Sequence, residues 1–250
     1  MNLHTNLKSD LYKICHTPIW LIHLIIPMLG MLLFLSYYYL SPWNEVDKLS
    51  GYIQALAVVF PVLIGSITSL LSGIEENAGG FQVTLLTASA KFIPHISKLL
   101  LLLLFAFASA LLALMGFGAA FIKMGYVIQN LLFYFETAVL LWLSVMPLYL
   151  LHYIVSFHFG KGYSIGLGFL GTLLSALLLT GLGDGIWPVI PWGITSRFAE
   201  MLLLSNLSHV TFLHDNDMIK SSISIALFTI ILTTIFVLSF NRWEGRKLDD

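Results

Sequence analysis

Long apolar runs, separated by short polar stretches, organise this chain. Six of them cover residues 18–40, 52–74, 99–122, 131–157, 163–182 and 219–240. A helix rises about 1.5 Å per residue, so roughly 20 apolar residues cross a hydrocarbon core of about 30 Å. Each run reaches that length. The runs are continuous rather than alternating, which excludes a β-barrel. The pattern predicts an all-α membrane protein, six transmembrane helices forming one domain over residues 1–250. The first run is longer than a signal-peptide h-region and follows a polar-mixed stretch. The Ser41-Pro42-Trp43-Asn44 that comes after it offers no small-x-small cleavage site, so it reads as a retained helix.

Composition narrows the class. Hydrophobic residues make up 58% of the chain and charged residues 10%, against about 25% charged in a soluble domain. A formal net charge of −1 gives no electrostatic drive toward nucleic acid. A single cysteine, Cys15, excludes an internal disulfide and reads as a spectator thiol.

The twelve Lys and Arg residues set the expected orientation. With both termini cytoplasmic, the inside segments hold Lys8, Lys13, Lys91, Lys98, Lys161, Arg242, Arg246 and Lys247. The outside segments hold only Lys48, Lys123, Arg197 and Lys220. Tyr37, Tyr38, Tyr39, Trp43, Trp187 and Trp192 then fall at the outer interface, where aromatic belts form.

Two loops stand out, a cytoplasmic one over residues 75–98 and an external one over residues 183–218. In the first, Glu75 and Glu76 close the second span, and Gly79 and Gly80 permit a sharp turn. Phe81, Val83, Leu85 and Leu86 then form an apolar stripe beside Gln82, Thr84 and Thr87. That pattern predicts a short amphipathic helix, lying on the membrane surface or in a partner's groove. A plain interfacial connection fits the composition equally well.

This loop resembles the coupling segment of type-two ABC exporter permeases, in which a Glu is followed by a Gly and a Leu-rich short helix. It is closer still to the permeases of lantibiotic immunity (self-protection) transporters. The matching positions are Glu75, Ala78, Gly79, Phe81, Gln82, Leu85 and Leu86, and the tail Phe240-Asn241-Arg242-Trp243-Glu244-Gly245 is similar too. One departure is that Ala88 or Ser89 stands where many such permeases carry a Pro, which leaves the end of the coupling helix open.

The resemblance implies a permease subunit of an exporter that expels a membrane-active lantibiotic peptide. It implies a short cytoplasmic coupling helix between the second and third spans and a bacterial plasma membrane location. It also implies no catalytic residues, no metal and no directly bound cofactor. ATP would be used by a separate ATPase subunit, with Glu75 and Glu76 as anchors for its cations. A second permease, homologous or identical, would complete the complex. The absence of a Gly-x-x-x-x-Gly-Lys-[Ser/Thr] loop agrees, since Gly160-Lys161-Gly162 lacks the spacing and the hydroxyl. Export of another lipid, antibiotic or solute, or a scaffold or sensor role without transport, remains the alternative.

Other constellations carry less. Intramembrane prenyl-protein endopeptidases use Glu-Glu-Arg and paired His, but no Arg follows Glu76 before Lys91 and no span holds His-x-x-x-His. His209, His214, Asp215 and Asp217 offer ligand types for a metal, but Asp215-Asn216-Asp217 reads better as a cap of the sixth span. Glu136 has two readings. A carboxylate at the bilayer centre costs roughly 2.5–3.5 kcal/mol, which places it at the outer interface; there it could meet a cationic peptide. Trp187, Trp192 and Phe198 read either as a surface for an apolar peptide or as interfacial anchors. Pro188 and Pro191 prevent one regular helix through that aromatic stretch. Gly166, Gly168 and Gly171, with Ser164 and Ser175, predict a small-residue packing face on the fifth span.

Overall fold

The computed structural model describes residues 3–86, 90–126, 128–208 and 216–246, and among these it contains helices, turns and no strand. In chain order the helices are α1 (Leu3–Cys15), α2 (Pro18–Leu40), α3 (Glu45–Asn77), α4 (Gln82–Leu86), α5 (Phe92–Lys123), α6 (Leu131–His158), α7 (Lys161–Leu178), α8 (Pro191–Ser208) and α9 (Asn216–Arg242). Six of them, α2, α3, α5, α6, α7 and α9, are long and apolar enough to cross a membrane. The chain is an all-α, multi-pass membrane protein.

Capping residues fix several of the span ends. Asn44 accepts a hydrogen bond from the Asp47 N–H, so α3 begins seven residues before its apolar stretch, with Glu45 and Asp47 at its positive end. Asn130 caps α6 in the same way, on Phe133 N–H. α7 ends earlier than residue 182, because Thr180 leaves the helix and caps a 3₁₀ turn over Gly181–Gly183. α2 matches its run at both ends, between Pro18 at its first turn and the extended Ser41.

α3, α5 and α6 form the centre of the bundle, and α7 packs along α3. Ser164, Gly168, Gly171, Ser175 and Leu178 make the buried face of α7. A Cβ on Gly168 would stand 2.9 Å from the Pro61 carbonyl oxygen, and one on Gly171 would strike the Trp192 indole. Gly166 does not belong to that face: it is exposed, with open space where a Cβ would be. Helical spacing accounts for the difference, since Ser164, Gly168 and Gly171 follow the i, i+4, i+7 stripe and position 166 falls outside it.

Hydroxyls tie these helices together where apolar packing alone would not fix register. Ser69 donates to Lys161 O (2.9 Å), Ser72 to Ser156 O (3.0 Å), and Ser164 lies 3.1 Å from both Thr68 and His152. Three spans contain interior prolines, Pro27, Pro61 and Pro147, each of which removes one helix hydrogen bond.

Two helices lie outside the six spans. α1 buries Asn6, Asp10 and Ile14 and packs against the start of α5. α8 sits in a wedge made by α3, α6 and α7 at the opposite end of the bundle. It starts at Pro191, after a 3₁₀ turn over Trp187–Val189, so both prolines stand where no helix N–H is needed. Arg197 of α8 donates to Leu178 O (2.8 Å) and Thr180 O (2.7 Å) and pairs with Asp184 (2.8 Å). It thereby satisfies the carbonyls that α7 leaves open at its end.

Candidate functional site

The described termini lie at one end of the bundle, together with the connection between the second and third spans. α3 ends there in a tight reversal. The Gly80 N–H bonds to Glu76 O (2.8 Å) and the Phe81 N–H to Glu75 O (3.3 Å), so the reversal satisfies carbonyls of the last turn of α3. Gly79 (φ 105°) and Gly80 (φ 60°) take left-handed conformations that suit glycine. Phe81 is left-handed as well, at φ 68°, which is strained for an aromatic residue.

Packing holds Phe81 in that conformation. Its side chain is buried and meets Trp243 (ring centroids 5.0 Å apart) and Phe157 (5.9 Å). His95 stacks on Phe240 at 4.0 Å and stands edge-on to Trp243 at 5.1 Å. The tail motif Phe240 to Gly245 therefore closes over the loop motif, and the two segments that carry the resemblance form one unit. α4 follows directly. Leu85 packs inward, Gln82 is exposed and Leu86 is 84% exposed. The side chains of residues 83 and 84, and residues 87–89 with the open end of the short helix, lie outside the described residues.

The paired glutamates face inward rather than outward. Glu75 lies 3.7 Å from Lys98 and 3.5 Å from Lys13. Lys98 also pairs with Asp10 at 3.1 Å, and Ser97 donates to the same Asp10 at 2.6 Å. Asp10, Glu75 and Lys98 are all nearly inaccessible, while Lys13 is 40% exposed. Glu76 pairs with Lys161 (3.4 Å) and with Arg246, whose guanidinium also reaches Ser156 O. Burial forbids leaving these charges unpaired, and the chain supplies the partners itself. The sequence places the glutamates at the end of α3 but carries no signal for Lys13, Lys98, Lys161 or Arg246 as their partners. These residues come from elements far apart along the chain.

The residues proposed to meet substrate do not converge. Glu136 is exposed on the second turn of α6, beside exposed Phe135 and Leu132. Trp187 and Phe198 are buried in a small core with Ile194 and Met218. Trp192 is half-buried, and its indole lies over Gly171. In this conformation the pair Trp187 and Phe198 packs α8 against α9 and offers no free aromatic surface.

Glu200, which the sequence reading passed over, sits half-buried on α8 facing α3. Burial pushes its carboxyl above the usual range, opposed by nearby Arg197 and a hydrogen bond from Gln54. His209, His214 and Asp215 lie outside the described residues; Asp217 in the first turn of α9 pairs with Lys220 at 3.0 Å. Among the described residues no group of His, Cys, Asp and Glu is arranged to hold a metal.

These features define a helical membrane protein with a braced, ion-paired loop at one end of its bundle. No protein-family model, no curated protein and no solved structure matches the chain.

Proposed function

We propose that this chain is the membrane-spanning permease subunit of a type-two ABC exporter. Within that class we propose the lantibiotic immunity transporters of a bacterial plasma membrane, with both termini cytoplasmic. The observation that supports the reading is the bracing of α4. A five-residue helix with an exposed Leu86 is too short to hold its shape alone. Here it is joined to α3 through a strained, buried Phe81 and is roofed by the C-terminal tail. A load applied to α4 passes into α3, α6 and α9 instead of bending a loop. That is what a contact with a separate ATPase subunit requires.

On this reading the ATPase meets the exposed Gln82 and Leu86, while Glu75 and Glu76 act behind them as internal braces. ATP stays with the partner subunit. A second permease would complete the complex, and a cationic amphipathic peptide would be taken from the outer leaflet, where it partitions. Glu136, an exposed carboxylate, would attract it.

The test is a gentle-detergent pull-down of the tagged chain from its native membrane, with co-purifying proteins identified by mass. A stoichiometric ATPase is expected, and Leu86→Asp should release it without altering membrane insertion. Failure to recover any ATPase, under conditions that keep a known ABC complex intact, would sink the exporter reading in favour of a scaffold or sensor.

A further inference from the structure

The bundle is open between α2 and α3. A cavity of about 180 Å³ lies there, backed by α5 and α6. It is lined by residues from the central stretches of both spans, and two of its lining residues, Ile26 of α2 and Val59 of α3, are exposed, so the cavity is not sealed. The cavity therefore opens sideways, at mid-span, rather than toward either end of the bundle.

The sequence builds this space. Ala106, Ser109, Ala110 and Ala113 put small side chains at helical spacing along α5, and Gly30 and Ala55 face it from α2 and α3. Small residues usually let helices close on one another. Here α2 leans on α5 and touches α3 only lightly. Pro27 contributes, because it leaves the His23 carbonyl without its helix donor, and Ser109 of α5 donates to that carbonyl at 2.7 Å. The bond draws α2 toward α5.

The lining chooses the occupant. No lining residue carries a formal charge. Tyr52 already donates to Ala113 O (2.9 Å) and Trp142 to Leu103 O (2.8 Å). Among the lining residues, His23, through an Nε2 buried without a partner among the described residues, and Tyr149, through its hydroxyl, bring the further polar groups. The several waters that would fill this volume need two to four polar partners each, so water is disfavoured. The volume exceeds that of an engineered apolar cavity of about 150 Å³ that takes benzene. At this depth the surrounding medium is hydrocarbon.

We propose that the cleft between α2 and α3 holds the acyl chain of a bilayer lipid, inserted sideways at mid-span. The proposal is independent of the export reading and would stand if no ATPase were found.

The test uses the full chain in phosphatidylcholine nanodiscs doped with a phosphatidylcholine that carries a diazirine midway along one acyl chain. After photolysis, adducts are mapped by mass. Labelling of Ile26 and Val59 is expected to exceed that of Leu227 and Ile230, exposed on α9, at least fivefold. Gly30→Leu should bring the ratio down to about one, since a Cβ at Gly30 meets no atom within 4 Å and the side chain has the cleft to fill. Ala55→Phe should act alike from the other wall. A wild-type ratio near one overturns the proposal whether or not the variants fold, and so does a ratio unchanged in both folded variants. Labelling of the cleft only by a diazirine-bearing apolar peptide added to the same discs would assign the space to peptide side chains and would equally overturn it.

Discussion

Replacing Lys98 by Met tests what holds α1 to the bundle. The Lys98 ammonium stands between two buried carboxylates, Asp10 on α1 at 3.1 Å and Glu75 on α3 at 3.7 Å. Met fills nearly the same volume, so the change removes charge rather than packing. Asp10 then keeps only the Ser97 hydroxyl, and Glu75 keeps Lys13, which is partly exposed and less effective. Removing one partner of a buried pair costs about 3–5 kcal/mol. Undocking α1 lets water reach Asp10, so the cost falls on the docked state. At about 1.4 kcal/mol per tenfold, the opening equilibrium of α1 should shift by roughly 150- to 5,000-fold. Hydrogen exchange of the α1 amides in detergent reads that equilibrium directly. Asp10→Asn should do less, because Lys98 retains Glu75. The double variant Asp10→Asn with Lys98→Met should recover much of the loss, since the uncompensated buried charge on α1 is gone. Protection of α1 in Lys98→Met within threefold of the unaltered protein would refute the ion-pair account and leave Ile14 and its apolar neighbours as the anchor.

Three further outcomes follow from the same structure. At position 81 the usual order of substitution should invert. Phe81→Ala and Phe81→Gly both lose the ring contacts, worth about 3–5 kcal/mol, but Gly accepts φ 68° and should be the more stable of the two by about 1 kcal/mol in thermal unfolding; equal stabilities would show that the backbone is not strained. On α7, Gly168→Ala should destabilise by about 1–3 kcal/mol through overpacking against α3, whereas Gly166→Ala should be neutral or stabilising by its helix propensity, and equal effects on melting temperature would contradict the assigned face. Glu200 binds its proton more tightly in the fold than in the unfolded chain, because burial raises its pKa. Its contribution is therefore most favourable at low pH and is lost as pH rises through the folded pKa, which lies above the usual carboxylate range; Glu200→Gln should flatten that part of a melting-temperature series and raise the neutral-pH value, and a lowered neutral-pH value would overturn the assignment.

The spans were legible because hydrophobic length is a local property. α2 coincides with its apolar run and α6 begins where its run does, while α3 gains polar turns that Asn44 caps and α7 stops short of its run. α1 was not legible, since its buried face is Asn6, Asp10 and Ile14, and two polar residues out of three hide the stripe. α8 was hidden for a related reason: Trp187, Pro188 and Pro191 read as an irregular anchor, while the helix that begins at Pro191 carries Arg197 and Glu200 and is too polar to register as a span. The short helix after α3 was foreseen from Phe81, Gln82, Leu85 and Leu86. What could not be foreseen was which cations would answer Glu75 and Glu76. Spacing along a chain reports partners three or four residues away, and Lys13, Lys98, Lys161 and Arg246 are brought in by tertiary folding.

The distribution of polar contacts gives the two ends of the spans different mechanical characters. At the end holding the described termini, Asp10, Glu75, Lys98, Glu76, Lys161 and Arg246 link α1, α3, α5, α7 and the C-terminal tail by charge, and an aromatic cluster fills the space between them. Such contacts are short-ranged and geometrically demanding, so those segments move together or not at all. At mid-span, α2 and α3 face each other across small side chains and a cavity, with no ion pair between them among the described residues. Relative motion of α2 and α3 there breaks few contacts, and the hydrocarbon medium can fill whatever space it opens. A displacement imposed on the braced end should therefore appear as a change in the width of the α2/α3 cleft rather than as bending within the braced end. Spin labels on exposed positions of α2 and α3, Leu33 and Val59, would report it. A cleft whose distance distribution stays fixed, while one at the braced end broadens, would reverse the assignment of the stiff and compliant regions.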